Sequence, residues 1–387
     1  MTGPTIHGEG VRLRRYRSSD LDDLLAGYGD PLTQHFMPPL PVPFTRALGK
    51  QYIHDVAPSM FAEGGAAYAI ADEKTDQLLG GVGLDKVVAN RGQCELGYWV
   101  GPWARGRGVA TAAVRALSEH AFHSGLARIE VLTHWENAAS QRVALAAGFR
   151  REGVRRSALP NRYGGRDDLV AFARLADDPP GPAERLLPDL PGGELSDGVI
   201  TLRPLRPGDV DFYQALHSTA DVVATSVPPV APSREEMVRR CTYAQSHWLA
   251  GDRADLVIFD TATGTPTGDI GLYYQEPRTG QAMIGYSMLP GWRGRGYPTR
   301  ANRLISLWAF AETDIARLIA GALPTNLASQ RVLEKAGFKR EALMRSRLPG
   351  ADGRRQDDVQ FALLAEDWLD VGLQAEDSPA ESPREHG

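Results

Sequence analysis

Lysine is scarce in this chain: of 43 basic residues only Lys50, Lys74, Lys86, Lys335 and Lys339 are lysine, set against 48 acidic ones. The formal net charge of −5 leaves no overall positive field to draw the protein onto nucleic acid. No basic stretch is interleaved with aromatics for base stacking either. Cysteine occurs twice, as Cys94 and Cys241, in non-equivalent parts of the chain. A shared disulfide framework is therefore not implied, and unpaired thiols in a reducing compartment are the expectation. There is no C-x-x-C spacing, and the nine histidines include no H-x-x-x-H pair, so no metal centre is expected. Long apolar runs are missing as well. Met1 to Arg17 holds no signal-like core, and nothing later approaches the roughly 20 apolar residues of a membrane span. The expectation is a cytoplasmic protein without a membrane partner.

What the chain has is itself, twice. Its 387 residues, 42% hydrophobic and 24% charged, suit two ordinary cores better than one. Leu13-Arg14 before Asp20 recurs as Leu202-Arg203 before Asp209, at an offset of 189. Gly97-Tyr98 recurs as Gly285-Tyr286, and Arg-Gly-Arg-Gly at 105–108 recurs at 293–296, both at 188. Asn137 to Phe149 recurs as Asn326 to Phe338 at 189, and Asp167-Asp168 as Asp357-Asp358 at 190. A period this long excludes a solenoid, so whole domains are duplicated. The expected division is a first domain over 1–176, a Pro/Gly-rich linker over 177–197, a second domain over 198–372 and a disordered Glu/Ser/Pro-rich tail over 373–387.

Each half alternates strand and helix signals. In the first, strands are expected at Val11 to Tyr16, Tyr68 to Ala71, Leu78 to Leu84, Glu95 to Val100, Ile129 to Leu132 and Leu169 to Ala173. Helices are expected after Asp20, from Ala110, and from Ser140 to Ala147, where Gly148 ends the last. The fold class is α/β, a mixed and mostly antiparallel sheet flanked by helices in each of two tandem domains.

Between Val100 and Ala110 a strand runs through Gly101, Arg105, Gly106, Arg107 and Gly108 straight into a helix. Such a turn aims backbone N–H groups and the positive helix end at one spot, which suits a pyrophosphate. Arg105 and Arg107 add charge that could meet phosphate. The pattern is neither the G-x-G-x-x-G of a Rossmann turn nor a G-K-[ST] P-loop.

Arg105-x-x-Gly108-x-Ala110 resembles the R/Q-x-x-G-x-G/A motif of the GNAT N-acetyltransferases. Glu95-Leu96-Gly97-Tyr98 and Asn137-x-x-Ser140 through Ala147-Gly148-Phe149 resemble the RimJ/RimL branch, whose members acetylate ribosomal-protein N-termini in bacteria. The resemblance covers nearly all of both halves. It implies acetyl-CoA as co-substrate, with its pyrophosphate on the loop amides and its pantetheine arm beside the preceding strand. The donor-binding residues would be Trp99, Val100, Arg105, Gly106, Arg107, Gly108, Val109, Ala110, Thr111 and Asn137 in the first half. In the second they would be Arg293, Gly294, Arg295, Gly296, Thr299, Asn326 and Ser329.

Acetyl transfer from a thioester needs a neutral amine, a donor to the tetrahedral oxyanion and a proton for the leaving thiolate. Glu95 is the candidate base; its other reading is a strand carboxylate paired with a cation. Ser140 is the candidate donor to the thiolate on the family's pattern, and equally a helix N-cap. Asn137 would hold the pantetheine arm or stabilise a turn. Tyr98 and Tyr286 read as cross-strand packing, Asp167-Asp168 as a solvated or Arg-paired turn, and His134 as an ordinary residue.

The halves differ. Met283 stands where Glu95 stands, and Pro298, which has no N–H, stands opposite Ala110. The second half is therefore expected to be degenerate. It would bind coenzyme A weakly and be inactive or use another base, or serve as a built-in partner in a pseudo-dimeric monomer, a homodimer being the alternative. The acceptor is expected to be a primary amine: a protein N-terminus, an amino acid or a small molecule. The competing function is a duplicated, non-catalytic coenzyme-A-binding sensor or scaffold.

Overall fold

A computed structural model describes residues 4–350 and 353–368, so the expected tail at 373–387 lies outside the described residues. The chain divides into two compact units after Glu184. In the first, β1 (Ile6–Gly8) and β2 (Val11–Arg14) lead into α1 (Leu21–Gly29), α2 (Pro31–Phe36), α3 (Arg46–Gln51) and α4 (Ala57–Ala62). Then come β3 (Ala66–Asp72), β4 (Leu78–Val88), β5 (Gln93–Val100), α5 (Val109–His123), β6 (Arg128–His134), α6 (Ala138–Ala146), β7 (Arg150–Pro160) and β8 (Arg166–Leu175). The strands form one sheet in the order β1-β2-β3-β4-β5-β6-β8-β7, antiparallel throughout except for the parallel pair β5 and β6.

Alternation along the strands decides which side chains face which helices. Trp99 on β5 packs with Leu24 and Tyr28 of α1 and with Ile53, on the face that α1, α3 and α4 cover. Gly27 permits this contact, because a Cβ there would lie 2.1 Å from the Trp99 ring. Tyr98, one residue earlier, points to the other face and reaches Ser140 on α6. α5 lies close against β1, where a Cβ on Gly8 would sit 3.2 Å from Ala116.

The second unit repeats the plan. Its elements are β9 (Leu195–Ser196), β10 (Ile200–Pro204), α7 (Val210–His217), α8 (Ala220–Thr225), α9 (Arg234–Leu249), β11 (Arg253–Asp260), β12 (Thr265–Glu276) and β13 (Gln281–Met288). They continue with α10 (Tyr297–Glu312), β14 (Arg317–Ala322), α11 (Leu327–Lys335), β15 (Lys339–Pro349) and β16 (Arg355–Leu364). The sheet order is β9-β10-β11-β12-β13-β14-β16-β15, with β13 and β14 parallel.

Three sequence features take their physical meaning here. The repeated Leu-Arg followed by Asp is an ion pair: Arg14 grips Asp20 through two bonds of 2.8 Å with both side chains buried. Arg203 grips Asp209 in the same way, at 3.1 and 2.8 Å. The stretch 177–197 is not a free linker along its length. Leu187 and Leu190 are buried in the second unit's core, and Trp248 Nε1 donates to the Pro188 carbonyl at 2.9 Å. The Asp-Asp repeat slips by one residue. Ser157 N donates to Asp168, and its counterpart Ser346 N donates to Asp357, each at a distance given by the same bulged hairpin (2.7 and 2.8 Å). The true offset there is 189, so Asp168 matches Asp357, and Asp167 matches Gln356.

Candidate active site

β5 and β6 pair only over Gln93–Glu95 and Arg128–Glu130. Beyond Glu95 they part, leaving the backbone of β5 unpaired on that side over its second half. The turn after Val100 carries Gly106 and Gly108 at φ +73 and +76, a left-handed conformation that glycine adopts without strain. Gly108 caps α5 with no side chain accepting from the helix's first N–H groups, and nothing crowds the space a Cβ there would fill. The helix thus presents unsatisfied donors and its positive end outward. A cavity of about 680 Å³ runs from this turn along the parted strands to the α1–α4 face.

That cavity gathers Val100, Arg105, Gly106, Gly108, Val109, Ala110 and Thr111 at one end. Asn137 and Ser140 stand along its wall, and Trp99 on its far face. Arg107 is exposed and is not among its lining residues. Arg105 does not point at the space where a phosphate would sit. Its guanidinium is held by Asp30 and by Thr33 Oγ1 at 3.0 Å, and its Nε donates to the Val100 carbonyl at 3.2 Å. It staples the turn to the start of α2. Trp99 belongs to the hydrophobic cluster under α1 rather than to the α5 side of the sheet.

Asn137 is the N-cap of α6: its Oδ1 accepts from Ser140 N at 3.0 Å. Ser140 is consequently not the cap. Its hydroxyl hydrogen-bonds to Tyr98 Oη at 2.8 Å inside the cavity. Burial pushes the Tyr98 phenol well up, although the Ser140 bond works the other way, so the pair is a protonated donor at neutral pH. Beyond the cross-strand packing expected of it, Tyr98 thus makes a polar contact on the α6 side. The signal that could have found it is the joint recurrence of Tyr98 with Ser140 and of Tyr286 with Ser329.

Glu95 is turned toward Lys86, at 2.8 Å, and is not among the lining residues of the cavity. The carboxylate at the cavity is Asp85, directly across the hairpin from Glu95. Asp85 sits at the open rim. Partial desolvation, then the charge of Glu95, raise its carboxyl above the ordinary range, with Lys86 opposing. His134 also lines the cavity, with Nδ1 3.7 Å from Asp167; burial lowers its pKa, so it is neutral at pH 7.

The second unit keeps the donor-side geometry. Gly294 and Gly296 both lie at φ +77. Asn326 accepts from Ser329 N at 3.1 Å, and Tyr286 Oη bonds Ser329 Oγ at 2.9 Å. Burial pushes Tyr286 up to about 12. Arg293 is spent on Asp221 and on the Met288 carbonyl, as Arg105 is in the first unit. Arg295 stacks over Trp292 at 4.4 Å, and Thr299 falls in the first turn of α10 beside Pro298. The opposite face has changed. By register, Ala67, Gly81 and Asp85 become Asp255, Asp269 and Tyr273. The Tyr273 ring leans toward the floor: a Cβ on Gly271 would lie 3.2 Å from it and one on Gly285 4.0 Å, whereas a Cβ on Gly97, the counterpart of Gly285, meets nothing within 4 Å. Arg240 holds Tyr273 Oη at 3.0 Å and Asp255 at 3.1 Å, and His217 Nε2 bonds Asp269 at 2.9 Å. Where the first unit is bare, the second carries a network of buried charge.

The sequence model of the acetyltransferase (GNAT) domain matches residues 11–150 and again 200–339, which together span most of the chain. The chain belongs to the GNAT family. Both GNAT matches contain the strand, glycine turn and helix just described, and the sheet plan seen twice is the one expected from the family. Among relatives, a probable N-acetyltransferase of Bacillus subtilis is 41% identical over 86 residues, covering 22% of this chain and 47% of that protein. The ribosomal-protein-serine acetyltransferase of Escherichia coli is 33% identical over 107 residues, covering 27% of this chain and 58% of its own length. The chain thus spans about half the length of these curated relatives. A solved spermidine N-acetyltransferase of Vibrio cholerae aligns at 19% identity and a TM-score of 0.40, covering 45% of this chain and 99% of that one. Among the described residues, no helix is long and apolar enough to cross a membrane.

Proposed function

We propose that the first unit is an acetyl-CoA-dependent N-acetyltransferase that moves the acetyl group to a primary amine by direct attack. One observation carries this reading: a single cavity joins the uncapped start of α5, the parted strands β5 and β6, and the Tyr98–Ser140 pair. Acetyl-CoA supplies the acetyl group as a thioester. The amides at Val109 to Thr111 and the α5 dipole favour its pyrophosphate, and the unpaired edge of β5 offers hydrogen bonds to its amide-bearing arm. Tyr98 and Ser140 stand on the α6 side of that cleft and hand a proton to the departing sulfur.

The test is steady-state release of coenzyme A thiol by the full chain with a saturating amine. Tyr98→Phe and Ser140→Ala should each lower kcat by about 10²-fold while leaving the donor KM within a few-fold. A kcat unchanged in both variants refutes the assigned roles. A second reading applies to the second unit. It is a donor-binding copy without transfer, and the lean of Tyr273 over the floor favours it, together with the absence there of a counterpart to Asp85.

A further inference from the structure

The face of the cavity opposite the α5 side has a chemistry of its own. Leu32, Phe36, Met37, Tyr52 and Met60, all from the α2–α4 region, line it. These side chains are half-buried to exposed; Leu32 shows 49% of its surface. Apolar groups gathered around a hollow and left open to water mark a surface built to be covered by a ligand. Within and behind this wall the rings of Tyr16, Tyr28, Tyr52 and Trp99 pack edge to face or tilted, with neighbouring centroids 4.9 to 5.7 Å apart, which stiffens it. Between wall and strands the floor is stripped: Gly83 and Gly97 are directly paired, and the space above Gly97 is empty.

Charge is sparse by contrast. Among the described residues that line the cavity, Asp85 is the single carboxylate. It stands one alternation beyond Gly83 on the same face, at the rim of that bare floor. A polyamine carries several cationic nitrogens and calls for several carboxylates to match them. A peptide N-terminus brings a polar backbone, and this wall offers it little to pair with beyond the hydroxyls of Tyr28, Thr33 and Tyr52.

We propose that the acceptor is a lipophilic primary amine with a single cationic nitrogen. Its body lies against Leu32, Phe36, Met37, Tyr52 and Met60, and its nitrogen is received by Asp85. This rests on the reading of the first unit as an acetyltransferase. The amine arrives as an ammonium and gives one proton to the Asp85 carboxylate, which passes it to water. The freed lone pair forms the C–N bond at the thioester carbonyl carbon. The C–S bond breaks with its electron pair going to sulfur. The second N–H proton balances that thiolate through Tyr98 and Ser140. Overall, an ammonium and a thioester give an amide, a thiol and one proton.

The experiment measures kcat/KM of the full chain for 2-phenylethylamine, spermidine and a Ser-initiated tetrapeptide, by thiol release, beside calorimetric binding of acetyl-CoA. The proposal expects 2-phenylethylamine to exceed both others by at least about 30-fold. Asp85→Asn should lower its kcat/KM by about 10²-fold and abolish the acid limb of the pH profile, with Asp85→Glu restoring part of both. Donor affinity should stay unchanged. Equal or better turnover of spermidine or the peptide, or an Asp85→Asn enzyme with an unaltered profile, overturns the proposal. So does donor binding with no turnover of 2-phenylethylamine. Loss of donor binding in the unmutated protein overturns the underlying acetyltransferase reading instead.

Discussion

Replacing Gly97 by valine separates folding from function in the first unit. A Cβ at this strand position meets no heavy atom within 4 Å, so the packed structure has nothing to displace. Glycine inside a strand costs about 0.5–1 kcal/mol through the freedom it loses on folding. Valine is a favoured strand residue, so the variant should gain about that amount. For a unit of this size, 1 kcal/mol corresponds to about 2–4 °C, so its unfolding midpoint should rise by roughly 1–4 °C in calorimetry. The new methyl groups, however, occupy the bare floor that the amine must cross to reach the thioester. A reacting atom displaced by about 1 Å can lose about 10²-fold in rate, so thiol release should fall by at least that factor. Acetyl-CoA affinity should hold within about twofold, because the valine faces away from α5. A midpoint lowered by several degrees would show that the floor is not open. Undiminished turnover would show that the acceptor does not pass over Gly97.

Arg14→Met leaves Asp20 buried without its cation. It should cost about 3–5 kcal/mol in urea unfolding of the first unit, and a loss under 1 kcal/mol would contradict the buried pair. Asp76 carries the acid sensitivity of the same corner. Burial alone would raise its carboxyl, but hydrogen bonds from Arg12 and Arg14 outweigh this and hold it at about 2, below the ordinary 3.8. Its contribution is therefore complete above about pH 4 and fades as pH falls toward about 2. Asp76→Asn should flatten stability over that window, and an unchanged slope would refute the assignment. Glu95→Gln and Asp85→Asn, compared in one thiol-release assay, should rank clearly, with the larger loss of kcat/KM at Asp85; the reverse order would return the base to Glu95.

Much of this was legible in the sequence because it is written locally. The glycine turn needs left-handed backbone at Gly106 and Gly108, and its neighbours in sequence form the strand and helix it joins. The duplication announced two units, although the second begins at Arg185 rather than at 198, and the Arg14–Asp20 spacing that recurs proved to be an ion pair six residues apart. What the sequence hid depends on strand pairing. Only the register Gly83 to Gly97 puts Asp85 across from Glu95 and brings it to the cavity. Only alternation about Trp99 sends Tyr98 to the α6 side, and the sequence cannot say which face of a two-sided strand meets which helix. The individual side chains of the wall from Leu32 to Met60 could not be picked out for another reason. The wall comes from short helices, α2 to α4, with a wide π-type turn at Tyr52–Val56, whose apolar residues lack a sustained helical period. The Asp-Asp slip arose because a one-residue shift in register leaves a two-residue motif looking intact.

The most direct test of the account is calorimetric titration of acetyl-CoA into the full chain, alongside the Gly108→Trp and Gly296→Trp variants. Both glycines cap their helices with open space around them but at φ +76 and +77, so the indole should block the helix end at the cost of local backbone strain, and the melting profile of each variant checks that the protein stays folded. The expected result is a site in the first unit that Gly108→Trp abolishes and Gly296→Trp leaves intact. Acetyl-CoA binding that survives Gly108→Trp in full, or no binding by the unmutated protein, would contradict it.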